Sequence, residues 1–434
     1  MSSADGGVLG RSGRHDRNRA RQRAAADIRR RTVGASFGGF PMANVMVLEL
    51  GIAAALVVLS TAAGLRVVAA LVVLSALAIG VIRWHGRWVP QWLVVIGRFL
   101  VRKRSKVASP APSVAEPAET ASGAASTVTG PEDARVSLLR LLVDDLVVVN
   151  TTTRDQQPIG LAWHKGAWTA ALLVDPVPAM VSPVGARTDV PLAALADCLE
   201  DRGVVLDAIG IIWHSYPGSS RLPVGSAAVA AYNEVLGPLP AVAQRSTWVT
   251  VRLDARRCPS AVRERGGGVA GAHRALLGAV SRVQGTLDLA GLNTRVLSGD
   301  GLLRAAVSSA ELAATVGRAD QVELTEHWSG VRSGGIEHAS YGIMGWPPDA
   351  GRLDALASIR ALSTTVSLAL TPGAEDGKVG LRGVVRVSAR TPAELVAADA
   401  RIGALGTTSE IRLARLNGQQ AAALAMTLPV GGTA

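Results

Sequence analysis

Two apolar runs, Val45 to Leu65 and Val67 to Ile82, stand close together near the start of the chain, separated by Arg66 and interrupted by a single charge, Glu49. Each is about long enough to cross a hydrocarbon core of ~30 Å at about 1.5 Å per residue, the second by placing Arg83 and Trp84 at the interface. A joint at Gly64-Leu65-Arg66 predicts a tight helical hairpin, so residues 45–84 are expected to form two transmembrane helices with both ends on one side of the membrane. Resumption of apolar sequence at Val67 argues against reading the first run as a cleaved signal peptide. Glu49 lies four residues from the expected edge of the first span, where an interfacial carboxylate is easier to accommodate than a buried proton relay.

Positive charge assigns the side. Residues 1 to 106 hold 17 Lys and Arg against four acids, a net of +13, whereas the remaining 328 residues hold 28 basic and 30 acidic side chains. Arg11 to Arg31 supply nine arginines before the first run; Arg83, Arg87, Arg98, Arg102, Lys103, Arg104 and Lys106 follow the second with no acid among them. The positive-inside rule then places both termini and everything after residue 106 in the cytoplasm of a bacterial inner membrane protein. Because the formal charge of +11 belongs to the anchor, the larger part of the chain is not a basic domain, and no nucleic-acid partner is expected.

After the second run, Trp84, Trp88 and Trp92 fall at i, i+4 and i+8 with Phe99 on the same side, and Arg87, Arg98 and Arg102 line an adjacent face. Indole at the headgroup level and arginine beside anionic lipid make residues 85–106 read as an amphipathic juxtamembrane helix; the alternative is a stripe packed against protein. Residues 107–134, rich in Pro, Ala, Ser, Thr and Glu, read as a disordered tether, and residues 1–44 as a disordered Arg-rich tail.

From 135 to 434 short strands alternate with helices. Strands are expected at Val143 to Val149, Ile159 to Trp163, Trp168 to Val174, Val204 to Trp213, Thr247 to Leu253, Thr294 to Leu297, Gln321 to Trp328, Ser340 to Met344, Thr364 to Leu370 and Val379 to Val387. Helices are expected at Pro191 to Asp201, Ala227 to Leu236, Ala270 to Leu289, Leu302 to Val316, Arg352 to Ile359, Pro392 to Ala404 and Gln419 to Met426. The fold class is an α/β or α+β domain whose hairpins make the sheet mixed. A strand-strand-helix-strand order near 159 to 213 and again near 321 to 370 permits an internal repeat.

Chemistry is sparse. Gly373 to Lys378 has one residue too few for a phosphate loop, and Val379 stands where a magnesium-binding hydroxyl is needed. Gly266-Gly267-Gly268 lacks the dinucleotide spacing, although it precedes a long helix. His164, His214, His273, His327 and His338 show no ligand spacing, and Cys198 and Cys258 no metal or disulfide framework. Trp213-His214-Ser215-Tyr216 ends a buried strand, where catalytic groups can sit, but no partner acid can be placed beside it. Asp144 and Asp145 are expected on opposite faces of a strand. No catalytic residue, metal site or cofactor is assigned.

Several segments together resemble EccE, a membrane component of type VII (ESX) secretion systems of actinobacteria: HGRWVPQWLVVIGRF at 85–99, IGLAWHKGAWTAALLVDP at 159–176, YNEVLGPLPAVAQRSTWVTVRLD at 232–254, RGGGVAGAHRALLGAV at 265–280 and Leu-Pro-Val-Gly-Gly at 428–432. The resemblance implies a scaffold subunit of the inner-membrane complex, assembled with EccB, EccC and EccD, in which EccC is the motor ATPase. The Arg-rich tail and the linker are not matched to the family. The competing expectation is a membrane-tethered envelope enzyme acting on a sugar or lipid-linked substrate.

Overall fold

The computed structural model describes residues 40–61, 66–84, 87–108, 133–153, 156–175, 190–217, 243–318, 320–348, 350–359, 361–373 and 379–431, besides a few isolated positions. Most of the Arg-rich tail, the joint at 62–65, most of the 107–134 segment, the loop at 374–378 and most of the helix expected at 227–236 lie outside the described residues.

The two apolar runs form helices α1 (Met42–Thr61) and α2 (Arg66–Val81). They pack antiparallel through small residues: a Cβ on Gly51 would collide with Ala76, one on Gly80 would press on Leu48, and Ala55 and Ala69 are buried. The Asn44 side-chain amide donates to the Gly80 carbonyl at 2.8 Å. Leu50, Leu56, Val67, Leu71 and Leu74 face outward. Small and polar groups inside with large apolar groups outside invert the pattern of a water-facing helix pair. Among the described residues no helix is long and apolar enough to cross a membrane; α2, at 16 residues, rises only about 24 Å.

The next segment departs from the expected single helix. Arg83–Trp84 pairs antiparallel with Arg87–Trp88, and helix α3 begins only at Val89, running to Val101. Pro90 is the reason: lacking an N–H and fixing its own φ, it is tolerated in a first turn but not in an interior. Trp84 and Trp88 therefore precede the helix, and the tryptophan stripe is not continuous. Strand β1 (Ser105–Ala108) follows and occupies the first two positions of the segment expected to be a tether.

The sheet domain resumes at helix α4 (Ala134–Arg140), whose N-cap Asp133 accepts from the Arg135 N–H at 2.9 Å. Asp144 and Asp145 then lie in a turn, Asp145 at φ 57, rather than on a strand. Strands β2 (Val147–Thr152), β3 (Pro158–His164) and β4 (Ala167–Val174) form consecutive hairpins. Lys165 at φ 49 and Gly166 at φ 84 supply the two left-handed residues that a tight two-residue hairpin needs. Short α5 (Leu192–Ala196) leads to β5 (Ala208–Pro217) and β6 (Ala243–Asp254). Helices α6 (Pro259–Glu264) and α7 (Gly268–Leu289), strand β7 (Thr294–Val296) and helix α8 (Gly299–Ser309) follow. The helix expected at 302–316 is displaced because Ser298 caps it, its hydroxyl accepting from the Gly301 N–H at 3.2 Å.

The second half comprises β8 (Val322–Glu326), β9 (Val331–Ser333), β10 (Ile336–Gly345), a 3₁₀ segment at Ala350–Ser358, β11 (Ser363–Pro372) and β12 (Val379–Ala389). It ends with α9 (Pro392–Thr408), β13 (Arg412–Arg415) and α10 (Gln420–Ala425). The sheet order is β1-β8-β9-β10-β12-β11-β5-β6-β4-β3-β2, with β7 added to β4 and β13 to β10. Every pairing among these strands is antiparallel. The described residues Ile28–Arg29 add one short parallel pairing, to Val379–Gly380 of β12, so the sheet is mixed only there and antiparallel elsewhere, because each crossover helix returns the chain beside a strand of opposite direction.

The two halves share one path. A hairpin (β3-β4 or β9-β10) leads through a short helical segment to a strand (β5 or β11). The next strand (β6 or β12) inserts between that strand and the hairpin, and after a long helix (α7 or α9) a short strand (β7 or β13) extends the hairpin. The halves meet where β5 pairs with β11, Ile209 opposite Leu370 through Ser215 opposite Thr364. The internal repeat is therefore one of topology.

Alternation along the strands sends one set of side chains to each face. Ile211, Val251, Leu172, Val366, Val385 and Val387 pack under α7 and α9, while Ile212, Trp248 and Ala171 pack under α4 and α8. The result is a helix-sheet-helix sandwich with α10 also on the second face.

Candidate functional site

Helix α3 is where the apolar helices meet the sheet domain. Trp92, Val95 and Phe99 recur at helical spacing on one side. The Trp92 ring lies 6.0 Å from that of Trp328, just beyond β8, and Phe99 meets Trp328 edge-on at 5.2 Å. Gly418 approaches so closely that a Cβ there would strike both Trp328 and Val95. The Arg104 guanidinium lies 5.1 Å over the Phe99 ring.

Arg102 donates to Glu326 at the end of β8. The other oxygen of Glu326, a buried side chain, accepts from the Ala421 N–H at 3.0 Å in the first turn of α10. One carboxylate therefore holds the end of α3 and the positive end of a second helix. Beyond Arg102, β1 joins the sheet edge with Ser105 opposite Thr325 and Ala108 opposite Val322. Lys106 reaches Asp144 at 2.5 Å.

The seven residues expected at the membrane interface thus divide. Trp84 and Arg87 pair through their backbones, and Trp88 is the N-cap of α3, its N–H donating to Gln91 Oε1 at 3.4 Å. Trp92 and Phe99 pack on Trp328, Arg102 pairs with Glu326, and Arg98 remains exposed. For Trp92 and Phe99 the structure realises the alternative weighed above, a stripe against protein.

A second cluster lies inside the sheet. Registers place Ser246, His214, Thr365, Arg386 and Ser340 in one row across β6, β5, β11, β12 and β10. Ser363, Ser388 and His338 form the adjacent row. Arg386 is fully buried, donating to the Ser309 carbonyl at the end of α8 and to Thr365 Oγ1 at 2.9 Å. His214 Nδ1 lies 2.9 Å from the same hydroxyl, and its Nε2 lies 3.6 Å from Glu311, just past α8. His338 Nδ1 meets Ser388 Oγ at 3.0 Å.

Burial, opposed by Glu311, pushes the Arg386 guanidinium down to about 10. Burial, aided by the Arg386 charge, holds His338 well below its ordinary value and therefore neutral near pH 7. A guanidinium at a helix C-terminus with a carboxylate nearby compensates a charge that would otherwise be costly to bury. The acid that could not be placed beside His214 from sequence is thus Glu311, and both are tied into this brace. The signal for Arg386 was one charge at an inward position of the alternating strand GVVRVSA.

The remaining candidates stay apart. His164 Nδ1 contacts the Asp144 carbonyl at 2.5 Å, and His273 sits edge-on to Trp168 at 4.3 Å; burial lowers the pKa of both. Cys198 and Cys258 are free and buried. Gly266, Gly267 and Gly268 all adopt positive φ before α7. Among the described residues no group of three or more His, Cys, Asp or Glu could hold a metal ion.

Comparison with known proteins bears on the middle of the chain. Residues 241–343, from β6 into β10, match a family model described as a putative type VII ESX secretion system translocon, EccE. Over 147 residues the chain is 29% identical to the ESX-1 secretion system protein EccE1 of Mycolicibacterium smegmatis, a stretch covering 34% of this chain and 28% of that protein.

Proposed function

From the match of residues 241–343 to the EccE family model, we propose that the chain is an EccE-family scaffold subunit of the type VII secretion complex, supporting export without catalysis of its own. In this reading α1 and α2 anchor it in the bacterial inner membrane, both termini and the sheet domain are cytoplasmic, and EccB, EccC and EccD are its neighbours.

The observation that carries the reading is the junction at α3. The apolar helices and the sheet are joined by packing of Trp92 and Phe99 on Trp328, by the Arg102–Glu326 pair and by strand β1. A load on the anchor then reaches the sheet through packed elements, which suits a part that holds others in place. The small-residue interface and outward leucines of α1 and α2 support the membrane assignment.

Purification in mild detergent from cells that also express EccB, EccC and EccD tests the proposal. Co-purification in a stoichiometric complex is expected. Migration as a free monomer with all three present would overturn it, and turnover of a lipid-linked sugar by the isolated chain would favour the enzyme reading instead.

A further inference from the structure

Helix α3 is apolar on two faces. Trp92, Val95 and Phe99 face the sheet domain, while Leu93, Ile96, Leu100 and Val101 face outward, with Leu100 63% and Val101 89% exposed. A helix lying on a single domain needs one apolar stripe, and a second implies a second apolar medium. We propose that this outward face lies at the boundary between headgroups and acyl chains of a bilayer containing anionic lipid, so that the membrane surface sets the orientation of the sheet domain. The inference rests on the anchor reading above and adds to it a second, peripheral contact, on a face of α3 other than the one that Trp92 and Phe99 occupy.

Two features favour lipid over a protein partner as the occupant. Helix α3 abuts both α1 and α2, whose outward side chains are also apolar, and the Val89 N–H donates to the Ile82 carbonyl at 3.3 Å. The segment's own charge is also of one sign: residues 83–106 contain seven basic side chains and no acid, and while Arg102 and Lys106 are paired with Glu326 and Asp144, Arg98 and Lys103 are exposed. Apolar insertion beside a basic rim is the chemistry of an interfacial helix on an anionic surface.

The test uses the full chain in nanodiscs containing phosphatidylglycerol, with a nitroxide placed in turn at Ile96→Cys, Leu100→Cys, Leu74→Cys and Val396→Cys. Cys198 and Cys258 are buried, and Val396 is exposed on α9, where it serves as the aqueous reference. Accessibility to oxygen relative to a water-soluble nickel chelate should be severalfold higher at 96 and 100 than at 396, approaching the value at 74. Nickel access at 96 and 100 equal to that at 396, with 74 still in lipid, would overturn this inference and leave the anchor standing. Exclusion of both reagents from 96 and 100 would also overturn it, by showing that protein covers the face. Water access at 74 would overturn the anchor reading and this inference with it.

Discussion

Arg102 and Glu326, 224 residues apart in sequence, form the ion pair that closes the end of α3 onto the sheet, and the same carboxylate receives the Ala421 N–H of α10. Arg102 is partly exposed and Glu326 buried, so the larger effect belongs to the glutamate. Glu326→Gln keeps the shape and removes the charge. It should cost about 1 to 2 kcal/mol, because a neutral amide accepts more weakly from the Ala421 N–H and cannot form the ion pair with Arg102, and should speed hydrogen exchange across residues 89–101. Unchanged exchange there would show that the pair does not hold α3.

Trp328 is the surface on which Trp92 and Phe99 rest. Trp328→Ala should destabilise the junction by about 2 to 3 kcal/mol, at or below the low end for large aromatic truncations because the ring is only half buried. Limited tryptic cleavage at Arg98, Arg102 and Lys103 should then precede cleavage within the sheet, whereas Trp328→Phe should retain most of the protection. Simultaneous cleavage of both regions in the alanine variant would contradict the assignment.

Arg386→Ala leaves the α8 carboxyl end and Glu311 without their buried cation. Loss of one partner from a buried charged network costs about 3 to 5 kcal/mol, so urea unfolding should shift to a much lower midpoint. Arg386→Met, which fills the space without the charge, should cost clearly less. Equal losses for the two variants would mean that volume, not charge, is what the site requires.

His164, His273 and His338 all have pKa values lowered by burial. Unfolding restores the ordinary value near 6.5, so below that pH the unfolded chain binds protons that the folded chain refuses. Stability is therefore greatest above about pH 6.5 and falls as the pH drops toward the folded-state values, with a slope of up to ~1.4 kcal/mol per pH unit for each histidine. Asp133 and Asp300, held low by Arg135, contribute only near and below their ordinary value of 3.8 and do not mask this window. Thermal denaturation between pH 7.5 and 5 should show the decline, and His338→Gln should flatten it; an unaltered slope would remove His338 from the account.

Gly51 lies against Ala76 where α1 and α2 pack. Gly51→Leu should force the pair apart, at a cost of about 1 to 3 kcal/mol. Cysteines at Leu48 and Gly80, whose positions touch across the interface, should cross-link readily in the parent and slowly in the variant. Undiminished cross-linking would refute the packing.

Much of the local structure is legible in the residues themselves. The apolar pair marks α1 and α2, alternation marks β4, β11 and β12, and Lys165-Gly166 marks a hairpin turn, because each depends on neighbours a few positions away. The repeat is visible as an order of elements, although the insertion of β6 and β12 between their hairpins and the preceding strands is not. Residues 85–106 mark an element between the apolar helices and the sheet, but a helix with two apolar faces does not announce which face meets protein. Pairings across long separations are equally hidden: β1 with β8, Arg102 with Glu326, and His214 with Glu311. The sequence by itself determined that apolar helices precede a helix-covered sheet and that the positive charge flanks those helices. Only the tertiary structure decided that almost all of the sheet's pairings are antiparallel, that β1 joins the sheet before the linker, and that Trp92 and Phe99 face the domain, because those outcomes depend on which distant surfaces exclude water from one another.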